Sequence, residues 1–598
     1  MSRAPRPWIL FVKPTLVDGF FAILLVVLFS RPLNWQGLLA DGDTGWHIRT
    51  GDWIVRNSRV PVADLFSFSR PGQPWFAWEW LSDVIFARLH QWWGLAGVAG
   101  FSAVLLCLAA ALLAAWLLRR GVGLWIAAGV ALAVVNASSV HYLARPHLFS
   151  LLLFTAALWI LDEDRRQPAW RVWSLVPLAA LWANLHGGFI AWLGCLGFLL
   201  GLLAAERNWA ALQRYGLLTA LSVAATLLNP YGWRLHQHIA GYLRSSWILD
   251  NVQEFQSPSI RSESMLVFAV LLLAGVALAS RALARGAWFE GGLTLIWALA
   301  ALRSARHIPL FAVVAAPVVA AECATWFAAW ARRAHARSAA TIFWVLGQEF
   351  GRSRRFSIWS AAFGAAALWC TLGQIQIRDF PERRFPVRLV SQHKEHVRGR
   401  VLTSDQWGDY LIYRFFPPQQ VFFDGRSDFY GPATGADYRE LLTAGRRWPE
   451  VMARYRFDAA LLPVEWPLAR ILERDSEWRL LDRDGVAELL VPKARLKNPT
   501  DPADATKGGI ADASRSAVCG CGRAQPGVGP GRLAGVLPRC VQVGEEDSVA
   551  SGKAGGGCRR NAADGCGHPA RIGQARTRTR ICFPAAGFRG LRMWWTGR

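Results

Sequence analysis

The residues best suited to chemistry lie in one acidic stretch, from Ala40 to Trp53, which follows the first long apolar run. Asp41 and Asp43 are two residues apart, His47 comes shortly after them, and Glu79 lies in a second acidic group further on. Acidic side chains have poor affinity for anionic lipid head groups, so their position beside an apolar run needs a reason. The stretch predicts a catalytic or metal-binding loop. The alternative is a solvated loop whose aspartates cap short helices.

The two aspartates are expected to have different roles. Residues two apart in an extended loop point the same way, whereas on a helix they diverge by about 200°. Thr44 suggests a helix that begins just after Asp43, which makes Asp43 the better helix cap and leaves Asp41 freer to face a cavity. We therefore predict Asp41 as the general base, with Asp43 holding it or sharing a metal ion with it. Glu79 and Glu254 are the next candidates for the base.

The composition indicates a polytopic membrane protein. Of the 598 residues, 53% are hydrophobic and 18% are charged, and the mean hydropathy is +0.22. A soluble domain does not need so much apolar sequence. The net charge of +24 would suggest nucleic acid in a soluble chain. Here the arginines lie mostly between apolar runs and in the tail, so membrane topology explains them better, and no nucleic-acid partner is expected.

About eleven apolar runs are candidates for membrane-spanning helices. Several are short for a hydrocarbon core of about 30 Å, which needs about 20 residues, so these helices would tilt or bend. The runs cover roughly residues 17–33, 95–118, 122–140, 147–161, 172–185, 188–204, 214–229, 264–280, 287–302, 308–330 and 356–374.

The arginines alternate along the connections between these runs. With the N-terminus in the cytoplasm, every cytoplasmic connection is basic, as the positive-inside rule requires. The acidic segment 36–93, here called the first loop, then faces outward. An odd number of spans places the residues from about 377 onward outside the cytoplasm as well.

Unusual polar residues collect on this predicted outer side. Nine of the 12 histidines lie in or beside outer loops, whereas the cytoplasmic connections carry arginine but almost no histidine. An arginine that only sets topology belongs inside, and a guanidinium pairs well with phosphate oxygens, so the outer arginines suggest phosphate binding. Any single outer arginine could instead extend its side chain to a lipid head group or cap a helix. The predicted substrate-binding residues are His47, Glu79, Arg145, His147, His186, Asn229, Tyr231, Glu254, Arg303 and His307.

Residues 377–493 are predicted to form a small α/β domain, after a polytopic transmembrane domain at 1–376. Short apolar runs and an Asp484-Gly485 turn carry this prediction. The predicted strands lie at 401–403, 421–423 and 459–462, the hairpin covers 478–491, and the helices cover 405–416 and 437–444.

Two features of this C-terminal part call for separate expectations. The run at 421–423 ends abruptly in alternating charge, so we expect Phe423 to Asp428 at the end of a strand, facing the membrane cavity. The alternative is a local turn pair between Asp424 and Arg426. Residues 494–598 lose apolar periodicity and are rich in Gly, Arg, Pro and Ala, which predicts a disordered basic tail and also suggests a shifted reading frame.

The chain resembles the GT-C superfamily of integral-membrane glycosyltransferases, which includes protein O-mannosyltransferase and aminoarabinose-transferase types. The resemblance rests on Asp41-Gly42-Asp43 after the first span, on Glu79, and on many spans followed by an outer domain. It covers roughly residues 15–490. Further segments are similar to a widespread set of bacterial membrane proteins of this type: Arg145-Pro146-His147, Asn184-Leu185-His186-Gly187, Leu228-Asn229-Pro230-Tyr231-Gly232 and Phe423-Asp424-Gly425-Arg426.

This resemblance implies a fold and an activity. The fold is an all-α polytopic membrane domain of about 11 transmembrane helices with a small soluble α/β C-terminal domain. The activity is that of an inverting glycosyltransferase in the bacterial inner membrane. It would move a sugar from a polyprenyl-phosphate-linked donor to an acceptor on the extracytoplasmic face, with the donor and membrane lipid as partners. A divalent metal held by Asp41 and Asp43 is the cofactor to consider there.

Two other classes of function stay open from the sequence. A transporter or lipid flippase would need charged or Gly/Pro-broken positions at mid-membrane, and the runs contain few, with Glu322 the best of them. A non-catalytic component of envelope polysaccharide assembly would share the topology but tolerate alanine at Asp41 or Asp43.

Overall fold

The computed structural model describes residues 12–29, 32–335, 337–351, 357–374 and 377–497. These residues fall within one compact unit, Met1–Pro502. Residues 494–497 of the predicted disordered tail are helical, and the rest of the tail, from residue 498 onward, lies outside the described residues.

Helices form most of the described chain before residue 377. Short 3-10 turns join several of them, at Ser138–His141, Trp170–Ser174, Gln253–Phe255 and Ala305–His307. The helices are α1 (Leu16–Phe29), α2 (Pro32–Leu38), α3 (Asp43–Asn57), α4 (Trp80–Arg119), α5 (Leu124–Ala137), α6 (His147–Arg166), α7 (Leu175–Leu185), α8 (Phe189–Ala205), α9 (Trp209–Ala225), α10 (Trp233–Arg244), α11 (Ser246–Asn251), α12 (Glu263–Ala284), α13 (Trp288–Arg303), α14 (Ile308–Arg333), α15 (Ala339–Phe350) and α16 (Ile358–Gln374).

Several of these helices are suited to a membrane. Within the described residues, four helical segments are long and apolar enough to cross a bilayer: Trp80–Arg119, Leu124–His141, Met265–Ala284 and Ala305–Arg333. Shorter apolar helices cover Leu16–Val27, Phe189–Ala205 and Ile358–Trp369. A helix lies over each of the predicted apolar runs. The chain is therefore a membrane protein, while the number of helices that cross stays a prediction.

A kink divides the longest helix. Gly94 in α4 has φ 60° and ψ −159°, a backbone conformation that residues other than glycine rarely adopt. The part before Gly94 belongs to the first loop, and the part after it is the apolar run that was predicted at 95–118.

The C-terminal part contains one small mixed sheet. Its strands are hydrogen-bonded in the order β1-β2-β4-β3. β1 and β2 are parallel, whereas β4 is antiparallel to both β2 and β3, so β3 and β4 form the hairpin predicted at Asp484-Gly485. The strands are β1 (Val401–Leu402), β2 (Ala459–Pro463), β3 (Trp478–Arg483) and β4 (Ala487–Pro492), and the helices are α17 (Val387–Gln392), α18 (Asp405–Phe415), α19 (Ser427–Leu442), α20 (Trp448–Tyr455), α21 (Pro467–Arg474) and α22 (Lys493–Lys497).

The predicted strand at 421–423 is wrong. Val421 forms a single parallel bridge to Ser67 of the first loop and lies outside the sheet. The Val421 N–H donates to the Phe66 carbonyl at 2.8 Å, and the Val421 carbonyl accepts the Phe68 N–H at 3.0 Å. The apolar run is buried, as a strand would be, but its backbone partners come from a distant loop rather than from a neighbouring strand.

The first loop and the C-terminal part share one apolar core. Trp46, Phe66 and Trp75 belong to the same buried cluster as Trp407 and Tyr410 of α18. A second cluster lies among the membrane helices. The shared core holds the start of α3, where Asp41 and Asp43 lie, against α18.

Candidate active site

Arg145 lies among three carboxylates that come from two separate loops. Its Nη1 is 3.1 Å from Asp41 Oδ2 and 2.5 Å from Glu254 Oε1, and its Nη2 is 2.8 Å from Asp43 Oδ2. The structure therefore brings together four of the predicted site residues. One guanidinium faces three acidic groups, so the cluster has a surplus of negative charge.

Backbone contacts fix the position of Arg145. Its neighbour Ala144 donates its N–H to the Leu38 carbonyl at 2.7 Å, and the Ala144 carbonyl accepts from the Thr44 hydroxyl at 2.9 Å. Both bonds tie the short loop before α6 to the residues on either side of Asp41. These two bonds therefore fix the position of Arg145 relative to Asp41 and Asp43.

The predicted division of roles between the two aspartates is corrected in one respect. Gly42 occupies the N-cap position of α3, and Asp43 is the first residue of the helix. Asp41 Oδ1 accepts the Asp43 N–H at 2.9 Å, so Asp41 is the residue that ties down the helix start. Asp43 is the more buried of the two, because Thr44 and the following turn are enclosed by the shared core. Both carboxylates still point the same way, towards Arg145.

The C-terminal part supplies a further acidic residue to this cluster. The Gly42 N–H donates to Gln406 Oε1 at 2.7 Å, which docks the Asp41–Asp43 turn on α18. One turn later on α18, both carboxylate oxygens of Asp409 accept the Gly425 N–H, at 3.0 and 3.2 Å. A Cβ at Gly425 would collide with Asp43 Oδ1 and lie 3.0 Å from Asp409 Oδ2, so only glycine fits between the two acids.

Burial changes the proton affinity of these carboxyls. It raises the pKa of Asp43 to about 7, against the lowering effect of Arg145. Burial also raises the pKa of Asp409 well above its usual range, and the Asp43 carboxylate adds to the rise. Two buried carboxyls side by side are costly to ionise together, so each opposes the ionisation of the other. At Glu254, burial is outweighed by Arg145 and Arg306, which lower the pKa.

A second buried group of polar residues lies beside the Arg145 cluster. His47 Nδ1 is 2.6 Å from Asp83 Oδ1, and its Nε2 is 3.6 Å from Glu79 Oε2. The other oxygen of Glu79 is 3.3 Å from His186 Nε2. His186 Nδ1 is 2.7 Å from the Ser150 hydroxyl. The predicted residues His47, Glu79 and His186 thus form one continuous line, which Asp83 and Ser150 extend at its ends.

Aromatic side chains line the neighbourhood of this group. His238 stacks on Phe76 with ring centroids 4.8 Å apart and meets Trp78 edge-on at 5.2 Å. Tyr242 contacts Trp78 at 5.4 Å, and its hydroxyl accepts from Arg306 Nη1 at 3.0 Å. Aromatic faces beside hydrogen-bonding groups are suited to a ligand with both apolar and polar surfaces.

Asp424 and Arg426 form the local pair that was the alternative prediction for this segment. Arg426 donates from Nε and Nη2 to both oxygens of Asp424, at 2.9 and 2.7 Å, and its Nη1 is 2.8 Å from Asp64 Oδ1. All three side chains are buried. The segment therefore meets the Arg145 cluster at Gly425, and it does so from a loop rather than from a strand end.

Five predicted substrate-binding residues have other contacts. His147 Nε2 bonds the His141 carbonyl at 2.6 Å, and His307 Nδ1 lies 3.2 Å from the Ala300 carbonyl. Asn229 accepts the Tyr231 N–H at 2.8 Å within a tight turn.

Tyr231 and Arg303 complete these five. The Tyr231 hydroxyl accepts the Ala77 N–H at 2.9 Å and donates to the Pro61 carbonyl at 3.1 Å, which braces the first loop. Tyr231 also lines an open cavity of about 450 Å³ with Val60, Val62, Pro230 and Arg234. Arg303 is exposed at the end of α13, and it is the nearby Arg306 whose guanidinium lies 3.9 Å from Glu254, in addition to that of Arg145.

Asp41 and Asp43 do not fit a metal site as they are arranged here. The Arg145 guanidinium lies at hydrogen-bonding distance from both carboxylates and takes the place where a cation would bind. Within the described residues, the ligand atoms of His393, Glu395 and His396 do approach within 4.8 Å of one another, but this group belongs to the segment after α17 and Glu395 is exposed.

Asp409, Asp83 and Ser150 were missed by the sequence reasoning. The sequence did contain a signal for Asp409. Asp405 and Asp409 are four residues apart on α18, so they share one face of a helix. Nothing local in the sequence pointed to Ser150, whose importance depends on the position of His186.

No protein-family model and no curated protein matches the chain. Among solved structures, it is similar to the archaeal oligosaccharyltransferase AglB from Archaeoglobus fulgidus, determined with an inhibitory peptide and a dolichol-phosphate, with a TM-score of 0.48, 13% identity, and coverage of 75% of this chain and 69% of that chain. It is also similar to ArnT from Cupriavidus metallidurans in the apo state, with a TM-score of 0.44, 14% identity, and coverage of 81% of this chain and 99% of that chain. Both similarities are of low sequence identity, and the resemblance to the GT-C superfamily stays a prediction.

Proposed function

We propose that the chain is a membrane glycosyltransferase that moves a sugar, with inversion, from a polyprenyl-phosphate-linked donor to an acceptor hydroxyl. The observation that carries this proposal is the Arg145 cluster, in which one guanidinium is shared by Asp41, Asp43 and Glu254. It places carboxylates that can accept a proton beside a cation that can stabilise a departing phosphate.

Asp41 is the proposed general base. Its side chain is 14% exposed against 7% for Asp43, so an acceptor can reach it more easily. The Asp43 carboxylate already contacts Asp409 as well as Arg145, so a supporting role suits it. In the reaction, the acceptor oxygen attacks the anomeric carbon, its proton passes to Asp41, and the bond from that carbon to the phosphate oxygen breaks.

Two further features support a lipid-linked phosphate as donor. Arg306 lies beside the cluster, 3.9 Å from Glu254, and the Tyr242 hydroxyl and the Phe255 ring hold its guanidinium in place, so a phosphate at the cluster would meet a second cation. The cavity beside Tyr231 has apolar walls and one guanidinium, that of Arg234. Apolar surface next to a cation is suited to an isoprenoid chain that ends in phosphate.

The proposed location is the bacterial inner membrane, with the N-terminus in the cytoplasm and the site on the extracytoplasmic side. The positive-inside distribution of arginine supports this orientation. The aspartate cluster then lies where no nucleotide sugar is available, and a lipid carrier must bring the sugar.

The test uses full-length protein in nanodiscs and a panel of undecaprenyl-phosphate-linked hexoses, with release of undecaprenyl phosphate as the measurement. Asp41→Asn should lower the rate by about two to four orders of magnitude, because it removes the base. Donor binding and expression should be unchanged. Asp250→Asn, which alters an exposed carboxylate, is the matched control and should be as active as wild type.

Full activity in both Asp41→Asn and Asp43→Asn would show that this turn is structural. Absence of turnover with every donor of the panel, with intact binding, would instead favour the assembly-component alternative.

A further inference from the structure

Two histidines and a glutamate lie together in the turn that follows α17, separate from the Arg145 cluster and from the group around Glu79. His393, Glu395 and His396 each offer one ligand atom, and these three atoms lie within 4.8 Å of one another. The backbone turns tightly at this point. The His396 N–H donates to the His393 carbonyl at 3.0 Å, and the Val397 N–H donates to the same carbonyl at 3.1 Å. The local backbone therefore brings the three side chains together.

The spacing between Glu395 and His396 suits a bound cation better than a hydrogen bond. His396 Nδ1 lies 3.3 Å from Glu395 Oε1. This nitrogen is shielded from solvent, yet within the described part of the chain no group is aligned for a hydrogen bond with it. Two ligands of a tetrahedral zinc ion are separated by roughly 3.4 Å, because each lies about 2.1 Å from the metal. The two atoms are thus already at the distance at which one ion binds both.

The third ligand, His393, is oriented by a carboxylate of the neighbouring hairpin. Its Nε2 lies 2.9 Å from Asp482 Oδ2 on β3. Arg388 donates to both oxygens of Asp482, at 3.0 and 3.3 Å, which favours the ionised carboxylate, an acceptor only. A neutral imidazole that donates from Nε2 keeps its lone pair on Nδ1, the nitrogen that then binds a metal. Metal-binding histidines usually donate their other ring N–H to a carboxylate in this way.

The chemistry of the three side chains selects a class of metal ion. Imidazole nitrogens suit zinc and the other late first-row transition ions, whereas magnesium and calcium prefer oxygen ligands. Two imidazoles and one carboxylate, with a fourth position for water, are a known ligand set of Zn²⁺. The Glu395 side chain is 64% exposed, so it is free to turn towards both histidines.

We propose that His393, Glu395 and His396 bind one Zn²⁺ ion, with Asp482 as the positioning residue for His393. The inference goes beyond the proposed function and does not depend on it. Because Asp482 belongs to β3, the ion fastens the turn after α17 to the hairpin. Its role is to stabilise the C-terminal part of the chain rather than to take part in the transfer reaction.

The first experiment measures zinc binding by isothermal titration calorimetry, with full-length protein in detergent that was purified without a histidine tag. His396→Ala should lack one zinc site of the wild type, and MgCl₂ should not compete for that site. His335→Ala, which removes an exposed histidine elsewhere, is the matched control and should bind zinc as wild type does. Equal numbers of zinc sites in wild type and His396→Ala would overturn the inference.

The cysteines between Cys519 and Cys582 also offer ligands for zinc, so Co²⁺ serves as a second probe. Thiolate ligation gives Co²⁺ a charge-transfer band in the near ultraviolet, which nitrogen and oxygen ligation lacks. The Co²⁺ site that disappears in His396→Ala should show visible bands without this thiolate band. A lost site with thiolate character would place the metal on the cysteines and contradict the inference.

Thermal unfolding measures the stabilising role. Zn²⁺ should raise the Tm of wild type, because a ligand that binds only the folded state stabilises it, and should leave the Tm of His396→Ala unchanged. Glu395→Gln alters an exposed side chain and repeats the comparison where the histidine variant folds poorly. An equal rise of Tm in wild type and in Glu395→Gln would show that the ion binds elsewhere.

The last variant tests the positioning residue. Asp482→Asn should weaken zinc binding about 10- to 100-fold, as is typical when the carboxylate behind a metal-binding histidine is lost. Arg388→Gln is the matched control, because it removes the other partner of Asp482 and leaves the contact with His393 in place. A lower Tm of metal-free Asp482→Asn with unchanged zinc affinity would overturn the positioning role.

Discussion

Arg145 and Arg426 each lie among carboxylates at the junction of the first loop and the C-terminal part, and their surroundings differ. The Arg426 side chain is 1% exposed and pairs with two carboxylates, those of Asp424 and Asp64. The Arg145 side chain is 19% exposed and is shared by three. One cluster is closed to solvent, and the other is partly open and contains one more carboxylate.

The enclosure of Arg426 explains its role. Its guanidinium lies over the rings of Phe66, Trp75 and Phe429, with centroid distances of 4.9, 4.6 and 5.0 Å. Cation–π contacts and a two-pronged pair with Asp424 leave no side open to a ligand. Because Asp64 and the rings of Phe66 and Trp75 come from the first loop, Arg426 fastens that loop to the C-terminal part. Arg145 has carboxylates but no such enclosure, so a ligand can change its surroundings.

The largest effect on stability is expected at Arg426. Arg426→Leu leaves Asp424 and Asp64 buried without a cation, and loss of one partner of a buried pair costs about 3–5 kcal/mol of the free energy of unfolding. Denaturation of the purified protein in detergent, followed by tryptophan fluorescence, measures this loss. Arg145→Leu is the matched variant and should cost clearly less, because Asp41 and Glu254 reach water. Equal losses would remove the distinction between the two clusters.

A medium effect on stability is expected at Gly425, which lies between the Arg145 cluster and the Arg426 cluster. Gly425→Ala places a methyl group against Asp43 Oδ1 and Asp409 Oδ2, and overfilling of a close contact costs about 1–3 kcal/mol. Activity should fall as well, because Asp43 must move away from its place beside Arg145. Gly485→Ala in the β3–β4 turn is the control, since a Cβ there meets nothing within 4 Å. A neutral result at Gly425 would mean that the two acids are further apart than described.

The smallest effect is expected at Arg303, which was predicted to bind substrate and is exposed. Arg303→Ala should change the free energy of unfolding by no more than about 0.5 kcal/mol, as is usual for surface positions. Turnover of the lipid-linked donor should also stay at the wild-type level. A ten-fold loss of turnover would place Arg303 in the site beside Arg306 and widen the open cluster.

The sequence was informative wherever the signal was local. Hydrophobic runs marked the helices, and Asp484-Gly485 marked a hairpin that the structure contains. The acidic stretch also identified Asp41 and Asp43 as neighbours on one side of the chain. Local signals failed at 421–423, where an apolar run is buried without joining the sheet. They also could not show that Arg303 is exposed, because an exposed and a buried arginine look alike in a sequence.

The amino-acid sequence by itself determined that the chain is a helical membrane protein with an acidic first loop, because hydropathy and residue type act over a few turns of chain. Only the tertiary structure decided the partners of each acid. Gln406 docks on Gly42 across 364 residues, and Asp409 reaches Asp43 from the same helix. Such contacts depend on how distant segments enclose one another, and burial rather than residue type then decides which carboxyl keeps its proton.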